Sequence, residues 1–107
     1  MNEEMQGVFV YGTLMDPGVR IAIMGEDKII KEVVLKDYRR VGLNIIEDVG
    51  STVEGHVFEA TEANLEDLDR YESVSSGLYE QIYVVIGTKK YIAYQKCDPE
   101  SRIIQEG

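Results

Sequence analysis

"GVFVYGTLM", residues 7–15, decides how the rest of the chain is read. Val8, Phe9, Val10 and Tyr11 follow one another without a polar interruption, and all four favour extended structure, so a buried strand is predicted from Gly7 to Tyr11. The strand then meets Gly12, Thr13 and Leu14. A glycine lets the backbone bend, and N–H groups left unpaired at a bent strand end can converge on one concavity that suits an anionic or carbonyl oxygen. An apolar strand ending in a glycine turn is also a common structural element, so on this stretch alone both readings stand.

Working outward, further runs rich in Val, Ile, Tyr and Phe predict strands at Glu32 to Tyr38 with a continuation to Val41, Val53 to Ala60, Tyr79 to Ile86, and Lys90 to Gln95. "IGTKKY" reads as a hairpin turn in which Gly87 takes a positive φ, which makes the last two strands antiparallel neighbours. Two segments read as helices: Gly18 to Met24, after Pro17, and Glu62 to Tyr71 with Thr61 as N-cap. The order strand, helix, strands, helix, strand, strand implies an α+β domain. Its mostly antiparallel sheet, curled toward a barrel, carries two helices on its flank.

With 107 residues, 44% of them hydrophobic, the chain is long enough for a single domain, 1–107, with its core at about 7–95 and a C-terminal tail at 98–107. No apolar run approaches the roughly 20 residues of a membrane-spanning helix. The start "MNEEMQG" is acidic and polar where a secretory signal is basic and then apolar, so the expected location is cytoplasmic. A net charge of -9 argues against nucleic acid as a partner, because phosphate binding relies on Lys and Arg displacing counterions. One cysteine, Cys97, excludes an internal disulfide, and with one histidine, His56, there is no Cys/His zinc cluster. No stretch has the spacing of a calcium loop, so the expected chemistry uses neither metal nor cofactor.

The second helix, "TEANLEDLDRYES", carries an acid on its apolar side. Leu65, Leu68 and Glu72 stand at i, i+3 and i+7, so a helix reaching Glu72 projects that carboxylate with the leucines that face the core. Burial and the negative potential of a helix C-terminus both disfavour the ionised form and raise the pKa, which suits a general base or acid near neutral pH. If the helix stops at Tyr71, Glu72 instead turns into solvent as an ordinary surface residue.

Taken together and in order, "VFVYGTLM", "VEGHVFEA" and "LEDLDRYESV....LYEQIYVVI" resemble the gamma-glutamylcyclotransferase-like family, particularly its short members similar to gamma-glutamylamine cyclotransferase. The landmarks are the loop Tyr11-Gly12-Thr13-Leu14, the strand Val53 to Gly55, and the helix end Leu68 to Glu72 with the following Tyr79. The resemblance spans about Val8 to Tyr94 and implies a small mixed barrel with flanking helices. It also implies that Glu72 is the proton-transferring carboxylate, that Tyr11 to Leu14 bind the substrate, and that Tyr79 stands beside the site. The implied reaction is cyclisation of a small gamma-glutamyl compound: its α-amine attacks its own γ-amide carbonyl, giving 5-oxoproline and a free amine or amino acid.

Two departures from the family pattern bear on substrate preference. Ser73 stands where the family usually has glycine, and Met15, Asp16, Pro17 and Gly18 follow the loop where Arg and Gly are frequent. An arginine for the substrate carboxylate would have to be Arg20, Arg39 or Arg40, all of which also read as surface cations of an acidic protein. Cys97 with His56 would form a nucleophilic dyad only if distant segments met, and Ser75 and Ser76 lack the Gly-x-Ser-x-Gly context of a nucleophile elbow. The alternative function is a non-catalytic small-molecule binding module on the same fold.

Overall fold

The computed structural model describes residues 4–97; the tail expected at 98–107 lies outside the described residues. The chain runs β1 (Gln6–Val10), a 3-10 turn (Thr13–Met15), α1 (Pro17–Met24), β2 (Lys31–Val41), β3 (Asn44–Ala60), α2 (Glu62–Tyr71), β4 (Tyr79–Ile86) and β5 (Lys89–Lys96). The five strands form one sheet in the order β2-β3-β1-β5-β4, in which β1 and β5 are parallel and every other pair is antiparallel.

The unbroken apolar run of β1 follows from its central place. Val8 and Val10 face a core with Phe58, Ile92 and Tyr94 on the sheet and Met24, Leu65 and Leu68 on the helices. Phe9 and Tyr11 point the other way, into a second core with Leu35, Ile45, Val53, Val57, Val84 and Ala93, where the curling sheet covers itself. A strand buried on both faces has no polar side to show, hence the absence of alternation.

Local signals place both helices. Asp16 caps α1 by accepting the Gly18 N–H at 2.8 Å, with Pro17 in the first turn. Thr61 and Asn64 form a reciprocal capping box at the start of α2: the Thr61 Oγ1 accepts the Asn64 N–H at 3.1 Å, and the Asn64 Oδ1 accepts the Thr61 N–H at 3.0 Å. Gly87 takes φ 66 in the two-residue connection between the paired Ile86 and Lys89, as the hairpin reading requires.

Two expectations need correction. β3 begins at Asn44, nine residues before the expected Val53, because Gly50 (φ 92) and Asp37 (φ 68) absorb a register shift in the β2–β3 ladder instead of ending it. The Asp37 carboxylate accepts the Gly50 N–H at 3.0 Å across the pair. The barrel, moreover, is not closed: β2 and β4 are the two edges of an open sheet. Among the described residues no ladder joins these edges; instead, side-chain hydrogen bonds tie the tip of the β2–β3 hairpin to β4 and β5. Tyr79 Oη donates to the Leu43 carbonyl at 2.9 Å, Gln95 Nε2 to the Ile45 carbonyl at 3.0 Å, and the Lys96 N–H to Asn44 Oδ1 at 2.8 Å. Among the described residues no helix is long and apolar enough to cross a membrane.

Candidate active site

A cavity of about 320 Å³ opens where the C-terminal end of β1 meets the end of α2 and the β2–β3 hairpin tip. It lies at the lower end of the ~300–1,000 Å³ range of small-molecule sites. All six residues singled out from the sequence line it: Tyr11, Gly12, Thr13, Leu14, Glu72 and Tyr79. The wall is completed by residues that sequence reasoning missed, chiefly Leu43, Tyr71 and Tyr94. Tyr71 is adjacent to Glu72 and so was within reach of the helix reading, whereas Leu43 and Tyr94 arrive only through long-range pairing.

The helix does stop at Tyr71, yet Glu72 does not turn into solvent. Its N–H still bonds to the Leu68 carbonyl at 2.9 Å, so Glu72 closes the helical ladder as its C-cap residue. The next two residues complete a Schellman turn. Val74 N–H donates to Asp69 O at 3.0 Å and Ser73 N–H to Arg70 O at 3.2 Å, with Ser73 in the left-handed region at φ 56. This explains the departure noted at Ser73: the position requires a positive φ that glycine adopts without steric cost. The turn leaves the Glu72 side chain half-buried in the cavity wall. Among the described residues no donor bonds to its carboxylate, and burial pushes its pKa from 4.5 up to about 7.

Asp69 secures this helix end to the sheet. One of its carboxylate oxygens accepts Tyr94 Oη–H at 2.6 Å and Gln81 Nε2–H at 2.7 Å, while its backbone carbonyl holds the Schellman turn. Tyr94 in turn offers its carbonyl to the Tyr11 hydroxyl, which ties the start of the loop to the same strand. Burial is the main cause that raises the pKa values of Tyr11, Tyr94 and Tyr79, reinforced in each by the nearby Glu72 charge. Tyr11 and Tyr79 therefore donate to backbone carbonyls, of Tyr94 and Leu43, and not to Glu72.

The opposite wall is the loop. The 3-10 turn is closed by Met15 N–H to Gly12 O and Asp16 N–H to Thr13 O, both at 3.0 Å. The N–H groups of Thr13 and Leu14 come before the first of these bonds, so the turn itself supplies them no acceptor. An added Cβ at Gly12 meets nothing within 4 Å, so packing does not require glycine there. Gly55 differs: a Cβ would stand 2.4 Å from the Val10 carbonyl oxygen, which makes the Val-x-Gly landmark a packing requirement just behind the loop.

Each arginine also has a defined place. Arg20 is buried, and its guanidinium donates to the carbonyls of Leu14 (3.0 Å) and Met15 (2.9 Å) and to Asp27 (3.0 Å). It braces the loop from behind and is not a surface cation. Arg39 lies 3.4 Å from Asp48, and Arg40 donates its Nε–H to the Gly42 carbonyl at 2.8 Å. None of the three lines the cavity. His56 and Cys97 belong to different parts of the sheet, His56 on β3 and Cys97 just past β5 with β1 between those strands, and no hydrogen bond joins them. Ser75 and Ser76 are exposed turn residues.

No curated protein sequence matches the chain. Among solved structures it is similar to a gamma-glutamyl cyclotransferase at 20% identity and a TM-score of 0.77, over 89% of this chain and 68% of that one. It is similar to an Arabidopsis thaliana protein known from a solution structure, at 22% identity and a TM-score of 0.72, over 98% and 77% of the two chains. An uncharacterized Homo sapiens protein aligns at 23% identity and a TM-score of 0.72, over 90% and 69%. At these identities the likeness establishes the fold alone. The sequence itself carries the rest: a family model described as "Gamma-glutamyl cyclotransferase, AIG2-like" matches residues 8–107, nearly the whole chain, and the protein therefore belongs to that family.

Proposed function

We propose that the protein is a gamma-glutamyl cyclotransferase-type enzyme in which Glu72 moves the protons. The reading rests on one observation above all: Glu72, half-buried and with its pKa pushed up to about 7 by that burial, lines a small cavity together with the Tyr11–Leu14 loop. The substrate's α-ammonium must lose a proton before its nitrogen can attack. Glu72 accepts that proton, the amine nitrogen bonds to the γ-carbonyl carbon, and the carbonyl oxygen takes up negative charge. When the amide C–N bond breaks, Glu72 returns that proton to the departing nitrogen, and the ring nitrogen sheds its second proton to the freed carboxylate, which passes it to the released amine or to water, leaving 5-oxoproline. Because nucleophile and electrophile belong to one molecule, holding its curled conformer supplies much of the rate. The N–H groups of Thr13 and Leu14 are suited to hold the α-carboxylate or the developing oxyanion, and Tyr11 and Tyr79 shape the walls.

The test is direct. Incubated with gamma-glutamyl amines and dipeptides, the protein is expected to release 5-oxoproline, detected by mass spectrometry. Glu72→Gln abolishes that release without lowering the melting temperature. Turnover that survives the substitution removes Glu72 from the mechanism. Binding without any 5-oxoproline would favour the non-catalytic binding module.

A further inference from the structure

Four tyrosines stand with Glu72 in the wall of the cavity: Tyr11 just past β1, Tyr71 on α2, Tyr79 on β4 and Tyr94 on β5. Arg40 of β2, outside the lining, acts on Tyr11. A tyrosine hydroxyl has one hydrogen to donate. Tyr11 and Tyr79 give theirs to the main-chain carbonyls of Tyr94 and Leu43, and Tyr71 shares a 2.8 Å bond with Thr13 Oγ1 in which either oxygen can donate. Tyr94 alone of the four donates to a carboxylate, Asp69 Oδ1, at 2.6 Å.

Asp69 itself is outside the lining, three residues before Glu72 on the same helix end. Its Oδ1 also accepts Gln81 Nε2–H at 2.7 Å, so Gln81 stands beside Tyr94 as a second donor and offers it no acceptor. Tyr94 is 2% exposed, and the charge of Glu72 reaches it. A buried hydroxyl released from Asp69 needs another acceptor, since leaving it unpaired is costly, and an ionised carboxylate accepts more strongly than a carbonyl. The Glu72 carboxylate stands in the same wall. We infer that Asp69 is a positioning residue for Glu72: it holds the Tyr94 hydroxyl away from the Glu72 carboxylate and so keeps that carboxylate without a donor. The step rests on Glu72 being the proton carrier of the proposed reaction. A carboxylate that gains a donor is stabilised in its ionised form and becomes a weaker base, so a residue that touches no substrate would govern the proton transfer. Because Tyr11 and Tyr79 donate to the main chain, Asp69 is the acceptor that a substitution can remove.

The experiment reads the titration midpoint of Glu72 in two ways: by carbon-13 NMR of the side chain, assigned by its absence in Glu72→Gln, and by the pH dependence of kcat/KM for 5-oxoproline release. In Asp69→Ala, and in Asp69→Ser, whose side chain is too short to reach the hydroxyl, the midpoint is expected to fall by about one to two pH units, the effect of one hydrogen bond to a charged group. Asp69→Asn keeps an acceptor in the same place without the charge and should hold the midpoint near 7. A helix end that merely loosened would also lower the midpoint, by admitting water. Asp69→Ala/Tyr94→Phe separates the two causes: with no hydroxyl to turn, the midpoint returns to about 7, whereas water entry leaves it low. The inference is overturned by an unmoved midpoint in the folded single variants, by an equal fall in Asp69→Asn, by a double variant that stays low, or by loss of folding in both Asp69→Ala and Asp69→Ser. NMR shifts as expected with no 5-oxoproline from any protein, wild type included, keep the role of Asp69 and discard cyclisation. Release of 5-oxoproline with an unmoved midpoint does the reverse.

Discussion

The Glu72 carboxyl is half-buried without a donor among the described residues, and that imbalance has two measurable consequences. As the proposed base it would work only when ionised, so kcat/KM should fall about tenfold per pH unit below about 7 and level off above it. A carbon-13 NMR titration of the side chain should give the same midpoint. The second consequence concerns stability. The folded chain holds this proton up to about pH 7, whereas an unfolded chain releases it near 4.5. Between those values the native state binds more protons than the unfolded one, so the group's contribution to stability falls as pH rises. Glu72→Gln removes that dependence. The variant should therefore melt at or above the wild-type temperature at pH 8, while the difference shrinks toward pH 4, as scanning calorimetry at both pH values would show.

Among the elements, α2 carries the site, and both of its ends are open to test. Ser73 pays a steric cost at φ 56, so Ser73→Gly should stabilise the protein by about 0.5–1 kcal/mol in urea denaturation and leave the Glu72 geometry in place. Thr61→Ala breaks the capping box and should cost about 1 kcal/mol in the same measurement. This helix was legible because its signals are local: a cap, a leucine spacing, a polar far side. Whether Glu72 faced inward was not legible, because that depends on the Schellman turn after it, which Ser73 does not announce as glycine would. The first half of β3 was hidden for a related reason. Asp48, Gly50 and Ser51 read as turn residues, and only the pairing with β2, with Asp37 bonded to Gly50, keeps them in a ladder. The far walls of the cavity, Leu43 and Tyr94, follow from sheet order, which periodicity along a single chain does not encode.

At the scale of the whole molecule, the close approach of β1 and β3 sets the position of the loop. In Gly55→Ala the new methyl group would collide with the Val10 carbonyl and the Phe9 ring, so the strands must shift. A loss of about 2 kcal/mol or more is expected in urea denaturation. Arg20→Ala acts on the same loop from its other side, by leaving the Leu14 and Met15 carbonyls without their buried donor. The parallel pairing of β1 with β5 also bears on synthesis, since Val8 lies beside Ile92 and the ladder joins the first to the last strand among the described residues. On the ribosome, the greasiest segment of the sheet must therefore wait for most of the protein to be translated before its second neighbour exists. Until then Val8 to Tyr11 are an adhesive edge for chaperones or for other nascent chains, and the yield of folded protein depends on how that interval is managed.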